Sequence, residues 1–255
     1  GVDELINLDL SRVESDSFLT QYGLIWKLER GQFITPDRLD MLKGDFDVRP
    51  EEKKVRCFAG LDFGKMHDST VLTIGTEYGD IIYWCELLGE DYESQFLILI
   101  DKLRRFNIVS LCYDASGNQD QIGDRFRRLM EPLGVVVTGV NFSSTKSDLY
   151  KNLDFMMRPS YNESGQLVTK SRLRIPITNC PEKEKFTVQM LDLQKEIDDN
   201  GKWHCDHPDG ESYHDDYCDS LALYAWNFQF YSPVLTNNVR EKVDHLSTKE
   251  MQQEV

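Results

Sequence analysis

Five short apolar runs, separated by two helix-like stretches, constrain this chain more than any other feature. VRCFAGLDF (residues 55–63) is nearly continuous in apolar residues, the pattern of a buried strand, and it closes on an aspartate and a glycine-flanked exit. TVLTIGTEYGDIIYWCELLG (70–89) follows as two β-rich runs split by a Tyr-Gly-Asp turn, so three antiparallel strands are expected in succession. YESQFLILIDKLRRF reads as an amphipathic helix, IVSLCYDAS as a buried strand, QDQIGDRFRRLMEPLG as a helix stopped by Pro132 and Gly134, and VVVTGVNF as a last strand.

The order β-β-β-α-β-α-β describes a mixed sheet with helices on its faces. It matches a ribonuclease H-like α/β fold. SSTKSDLYKNLDFMM predicts a further helix capped by Ser143 or Ser144, and QLVTKSRLRIPI alternates like the strand of an added β-hairpin rich in basic residues. A long helix is expected over 181–197, then an Asp199-Asn200-Gly201 turn, a polar loop, and a helix over HDDYCDSLALYAWNF with an acidic front end.

Around this body, residues 1–54 read as a connector with short helices, one capped by Thr35 with Pro36 in its first turn. Residues 55–230 read as the main domain, and 231–255 as a polar tail. The chain starts Gly-Val-Asp without an initiator Met, so it is expected to be cut from a longer protein.

Composition excludes several classes. Asp and Glu number 44 against 29 Lys and Arg, a formal net charge of −15, which is not that of a basic DNA-coating protein. The six cysteines have no paired CxxC spacing and several lie in apolar runs, where a thiol behaves as a small hydrophobe, so a reducing intracellular setting is expected. No stretch approaches the roughly 20 uncharged apolar residues of a membrane helix, and no membrane role is expected.

Acids at the ends of the apolar elements point to chemistry. Asp62 lies in GLDFG, Asp114 closes LCYDASG, and in this strand order the first and fourth strands are neighbours, which sets the two aspartates side by side. Each also has a plain structural role open to it, as an acceptor at a strand end or as a helix cap near Asn118. His214, Asp215, Asp216 and Asp219 crowd one helix start, where acids are also favoured by the helix dipole.

Like charges about 4 Å apart repel by roughly 4 kcal/mol at an effective dielectric of 20, so converging carboxylates destabilise an empty site unless a cation joins them. All-oxygen ligands select hard ions such as Mg2+ or Mn2+. Two such ions can activate a water and stabilise the leaving oxygen of a phosphodiester.

At these residues the chain resembles the C-terminal nuclease domain of the large terminase subunit of tailed bacteriophages, the DNA-packaging motor. GLDFGKMHDSTVLTI, LCYDASG and HDDYCDSLALYAW carry the resemblance, across roughly residues 55–230. It implies an endodeoxyribonuclease that cuts double-stranded DNA with little sequence preference. Asp62 would bridge two ions, with Asp114 and Asp216 each holding one. Asp215 would sit beside Asp216, Asp68 would match an extra acid six residues after the first, and Asp219 would compete with Asp216 for the third place, Asp216 being favoured. Apart from the resemblance, His214 reads from its place in the sequence either as a group that orients a water or shuttles a proton, or as a plain helix-start histidine.

The resemblance also implies portal and small-terminase partners, an ATPase motor domain in the same full-length protein, and the host cytoplasm as location. The phosphate-binding GxxxxGK[ST] loop of such a motor does not occur here, so no ATPase activity is expected of this chain.

Net charge makes DNA contact a local matter. Candidate contacts are Lys65, Lys146, Lys151, Lys170, Arg172 and Arg174. The rival readings are another ribonuclease H-like nuclease such as a junction resolvase, a non-catalytic packaging scaffold, and a sugar-kinase-like ATPase, which lacks its second Gly-rich loop here. HCDHPD is a weak zinc half-site without a second pair of ligands.

Overall fold

The structure, a computed structural model, describes residues 30–64, 69–89, 91–116, 119–161, 167–169, 171–210 and 213–231. In chain order the elements are β1 (Arg30–Gln32), α1 (Pro36–Met41), β2 (Glu52–Asp62), β3 (Thr70–Thr76), β4 (Ile81–Leu87), α2 (Tyr92–Leu103), β5 (Phe106–Asp114) and α3 (Gln119–Met130). They continue with β6 (Val136–Val140), α4 (Phe142–Met157), β7 (Ser160–Tyr161), β8 (Leu167–Thr169), α5 (Pro181–Asp192), β9 (Gln194–Ile197), β10 (Trp203–Asp206) and α6 (Asp216–Tyr231).

The apolar runs build a five-stranded sheet in the order β4-β3-β2-β5-β6. The first three strands pair antiparallel, while β2–β5 and β5–β6 are parallel, so the expected order and the neighbouring of the first and fourth strands hold. Gly79 makes the β3–β4 turn possible: its φ is +89°, and a Cβ there would lie 1.9 Å from the Arg172 carbonyl oxygen.

Strand alternation divides the core between two faces. Ala59, Leu61 and Phe63 of β2 and its exit pack with Tyr113, Phe96 and Phe126 beneath α2 and α3, the three Phe rings and Tyr113 meeting edge-on or tilted. Phe58 and Cys112 face the other way, onto Tyr150 and Leu153 of α4 and Leu221 and Tyr224 of α6. Gly60, Asp62 and Asp114 share that second face by alternation.

The described part of the N-terminal segment packs into this second core through Phe33, Ile34, Leu39 and Leu42. α1 starts as its sequence predicts, with the Thr35 hydroxyl accepting from the Arg38 amide at 3.4 Å and Pro36 in the first turn. Residues 1–29 and 232–255, which hold most of the connector and the tail, lie outside the described residues.

Three local expectations change. The helix expected over 181–197 ends at Asp192, because Leu193 leaves the helix for the core and Gln194–Ile197 becomes β9, paired with β1 on one side and β10 on the other. α4 begins two or three residues early. Its cap position is Asn141, without a side-chain cap bond, and the Ser144 hydroxyl instead donates back to the Asn141 carbonyl at 3.2 Å. The basic hairpin is short: β7 and β8 pair, whereas Arg174 and Ile175 make isolated bridges with Asp80 and Lys43.

Among the described residues no helix is long and apolar enough to cross a membrane. All six cysteines are free thiols, five of them buried.

Candidate active site

Gly60 brings the acids together. A Cβ on it would stand 2.0 Å from the Ser220 carbonyl oxygen and 2.3 Å from the Tyr224 amide nitrogen, so only glycine lets the α6 backbone lie against β2. Polar side chains fasten the contact. The Ser220 hydroxyl donates to the Gly60 carbonyl at 3.1 Å and lies 2.6 Å from the Thr73 hydroxyl, and the Asn227 amide donates to the Ala59 carbonyl at 3.4 Å.

Two residues past Gly60, Asp62 ends β2 beside Asp114, which ends β5; the register runs Leu61 to Tyr113 at the preceding pair. Asp114 is almost fully buried, and its Oδ1 accepts from the Ser116 amide at 2.9 Å and the Phe142 amide at 3.3 Å. It therefore sits at the start of α4 as well as at a strand end.

The first turn of α6 supplies Asp216 and Asp219, with Asp215 just before it; the Asp219 amide donates to the Asp215 carbonyl at 2.8 Å. Burial first, then Asp219, Asp216, Asp114 and Asp215 in that order, push the Asp62 carboxyl well above the ordinary aspartate range. Burial likewise raises Asp219 to about 7, with Lys146 and a Tyr150 hydrogen bond opposing and Asp215 and Asp114 adding to the rise. Four acids thus act on Asp62, and Asp219 acts on it more strongly than Asp216 does.

Two residues of α4, one helical turn apart, face this cluster and were not foreseen in these roles. The Tyr150 hydroxyl donates to Asp219. Lys146, expected on a DNA-facing surface, instead points its ammonium into the acids, 2.9 Å from Asp206, 3.3 Å from Asp215 and 3.6 Å from Asp219. The i, i+4 spacing of Lys146 and Tyr150 was the available signal, because it sets both side chains on one face of the helix.

The remaining expected residues fall in different places. His214 is exposed, with its Nδ1 4.0 Å from Asp216. Lys151 is half-buried on α4, and Arg172 is exposed and stacked on the Phe155 ring at 4.7 Å. Arg174 is engaged by Asp80 at 2.6 Å and Asp45 at 3.7 Å, anchoring the segment after β8 to the β3–β4 turn. Lys65, Asp68 and Lys170 lie outside the described residues.

A cleft of about 590 Å3 opens beside Asp216, between Tyr213, His214 and the α5 wall with Lys185. Glu86 lies in it, accepting from the Ser69 hydroxyl at 2.8 Å and paired with Lys185.

All donors in the cluster are carboxylate oxygens, which fit a hard divalent ion by type. Among the described residues no three His, Cys, Asp or Glu side chains are already gathered around one ion position; Lys146 and Tyr150 hold part of the set instead. The HCDHPD segment has no zinc geometry: His204 faces Asp198 at 3.3 Å, His207 the Pro208 carbonyl at 2.7 Å, and Cys205 is buried.

No protein-family model matches the chain, and no curated protein matches it. Solved structures do. The large terminase nuclease of thermophilic phage G20c with bound magnesium aligns at a TM-score of 0.54 and 21% identity, over 76% of this chain and 96% of that one. A variant of the bacteriophage Sf6 large terminase subunit with calcium aligns at 0.58 and 12%, over 76% and 99%. The HK97 bacteriophage large terminase aligns at 0.53 and 15%, over 86% of this chain and 49% of that one. The chain shares the ribonuclease H-like fold of these nuclease domains.

Proposed function

We propose that this chain is the nuclease part of a phage large terminase, cutting concatemeric double-stranded DNA with little sequence preference. The observation that carries the reading is the convergence of Asp62 and Asp114, from adjacent parallel strands, with Asp216 and Asp219 from the helix that Gly60 admits. Phosphodiester hydrolysis needs dense negative ligands beside a cleft, and this cluster borders one. The neighbouring folds, two of them solved with magnesium or calcium, support it.

In this reading Asp62, Asp114 and Asp216, with Asp215 and Asp219 beside it, would hold two divalent ions, Asp62 being shared between them. When bound, Mg2+ or Mn2+ would supply an activated water and charge neutralisation at the leaving oxygen. The chain's own residues prepare for this. Gly60 fixes the approach of α6, Tyr150 orients Asp219, and His214 at the rim of the cleft, 4.0 Å from Asp216, is assigned the relay of a proton.

Lys151 and the Arg172–Phe155 pair offer phosphate and stacking contacts outside the acidic centre. A surface with net charge −15 binds DNA weakly alone, so the motor domain, portal and small terminase subunit are assigned the tasks of delivering DNA and timing the cut, in the host cytoplasm. ATP hydrolysis is assigned to the motor domain.

The test is to sequence the ends released from linear duplex DNA incubated with the purified chain and Mn2+. Ends scattered over many sequences are expected. Preferential cutting of a four-way junction over linear duplex would favour a resolvase instead.

A further inference from the structure

Among the described residues, Lys146 brings a positive charge into the acidic centre. Its ammonium touches Asp206 on β10, Asp215 before α6, and Asp219 in α6, and its side chain is only 26% exposed. Phe142, Lys146 and Tyr150 follow at i, i+4 spacing on α4, and the ammonium lies 5.9 Å and 5.7 Å from the two ring centroids. The carboxylates of Asp219, Asp215 and Asp206 hold the ammonium charged against the opposing effect of its burial.

The three acids differ in setting. Asp215 and Asp219 are 18% and 13% exposed, whereas Asp206, the nearest, is 59% exposed at the rim. A single positive charge cannot balance Asp62, Asp114, Asp215, Asp216 and Asp219 together, so the centre keeps its attraction for a divalent ion. An ion arriving at Asp215 and Asp219 meets a like charge about 4 Å away, while Asp206 offers the ammonium a solvated partner to which it can withdraw.

We propose that Lys146 is a positioning residue that acts as the resident counter-cation. It holds Asp215 and Asp219 together in the ion-free chain, yields them to an incoming divalent ion by withdrawing to Asp206, and so sets the ion concentration at which the centre loads. The inference rests on reading the acids as ion ligands, and it concerns ion loading rather than the cut itself.

Calorimetric titration of Mn2+ into the ion-free chain tests it, beside melting curves in EDTA. Lys146→Met is expected to bind Mn2+ at least about tenfold more tightly than wild type, since a unit charge within 4 Å of two ligands is removed, and to melt lower in EDTA. Lys146→Arg keeps the charge and is expected to stay within about threefold of wild type. Lys43→Met changes net charge equally at a lysine paired with Asp40 and is expected to leave Mn2+ affinity unchanged.

Equal Mn2+ affinity in wild type and Lys146→Met, with Asp62→Asn still abolishing binding, overturns the role of Lys146 and leaves the metal centre standing. Absence of Mn2+ binding in every variant, or binding indifferent to Asp62→Asn, overturns the metal centre itself and this inference with it. If Lys146→Met does not fold without ions, the arginine variant carries the test: an affinity change beyond tenfold there contradicts the proposal.

Discussion

Gly60 and Ser220 meet backbone to backbone across the β2–α6 interface, with space for no more than a hydrogen at residue 60 and a return bond from the Ser220 hydroxyl to the Gly60 carbonyl at 3.1 Å. Asp62 lies two residues further along one of these elements and Asp219 one residue back along the other. The distance between the acids is therefore set by a contact that carries no charge.

Gly60→Ala is accordingly expected to cost about 1–3 kcal/mol of stability, because the atoms in the way are backbone and cannot rotate aside. Displacing α6 also spreads the acids, and an error near 1 Å in such a site costs about a hundredfold in rate. Gly31→Ala, where a Cβ would meet nothing within 4 Å, is expected to be silent. Urea midpoints and cleavage rates of the two variants check both statements.

Asp62→Asn should separate stability from activity. The Asp62 carboxyl is raised by burial and by four neighbouring acids, so its ionised form works against folding when no cation is present. The variant is expected to melt higher than wild type in EDTA at pH 8 and to lose cleavage. A lower melting point in EDTA would mean that the carboxylate has a stabilising partner instead.

Asp219 gives the pH dependence its sign. Its folded value near 7 stands above the ordinary 3.8, so the folded chain holds this proton more tightly than the unfolded one. The stability it contributes is fully present below about 3.8 and is lost as pH rises to about 7. Melting curves of wild type and Asp219→Asn in EDTA, from pH 4 to 8, are expected to diverge progressively, wild type becoming the less stable of the two.

Tyr150→Phe removes the hydroxyl that donates to Asp219. A hydrogen bond to a charged group is worth about 1.5 kcal/mol, so the acidic limb of the cleavage–pH profile is expected to move up by about one unit. An unmoved limb would show that the titration of Asp219 does not govern cleavage.

The parts of this fold legible in the sequence are those decided by long apolar runs. 55–63, 70–89, 108–114 and 135–142 each carry enough buried surface to fix strand type and order, which in turn placed Asp62 beside Asp114. β9 and β10 were not legible, because Gln194–Ile197 and Trp203–Asp206 are four residues each and owe their state to pairing with one another and with β1. QKEI continues a helical pattern equally well.

At the site, the acids announced themselves by position at element ends, whereas Lys146 did not. A lysine in a helix reads the same whether it faces DNA or an acidic cluster, and only the packing of α4 on α6 decides between them. Gly60 likewise carries no sign in the sequence that a helix backbone rests on it.

The most direct test of the account is cleavage of supercoiled plasmid by the purified chain with Mg2+, with Mn2+ and with EDTA, run beside Asp62→Ala. Nicked and linear products that appear with either ion, vanish in EDTA and vanish with the substitution are predicted. Cutting that survives EDTA, or that Asp62→Ala performs at the wild-type rate, would contradict the claim that these carboxylates form a metal-dependent nuclease centre.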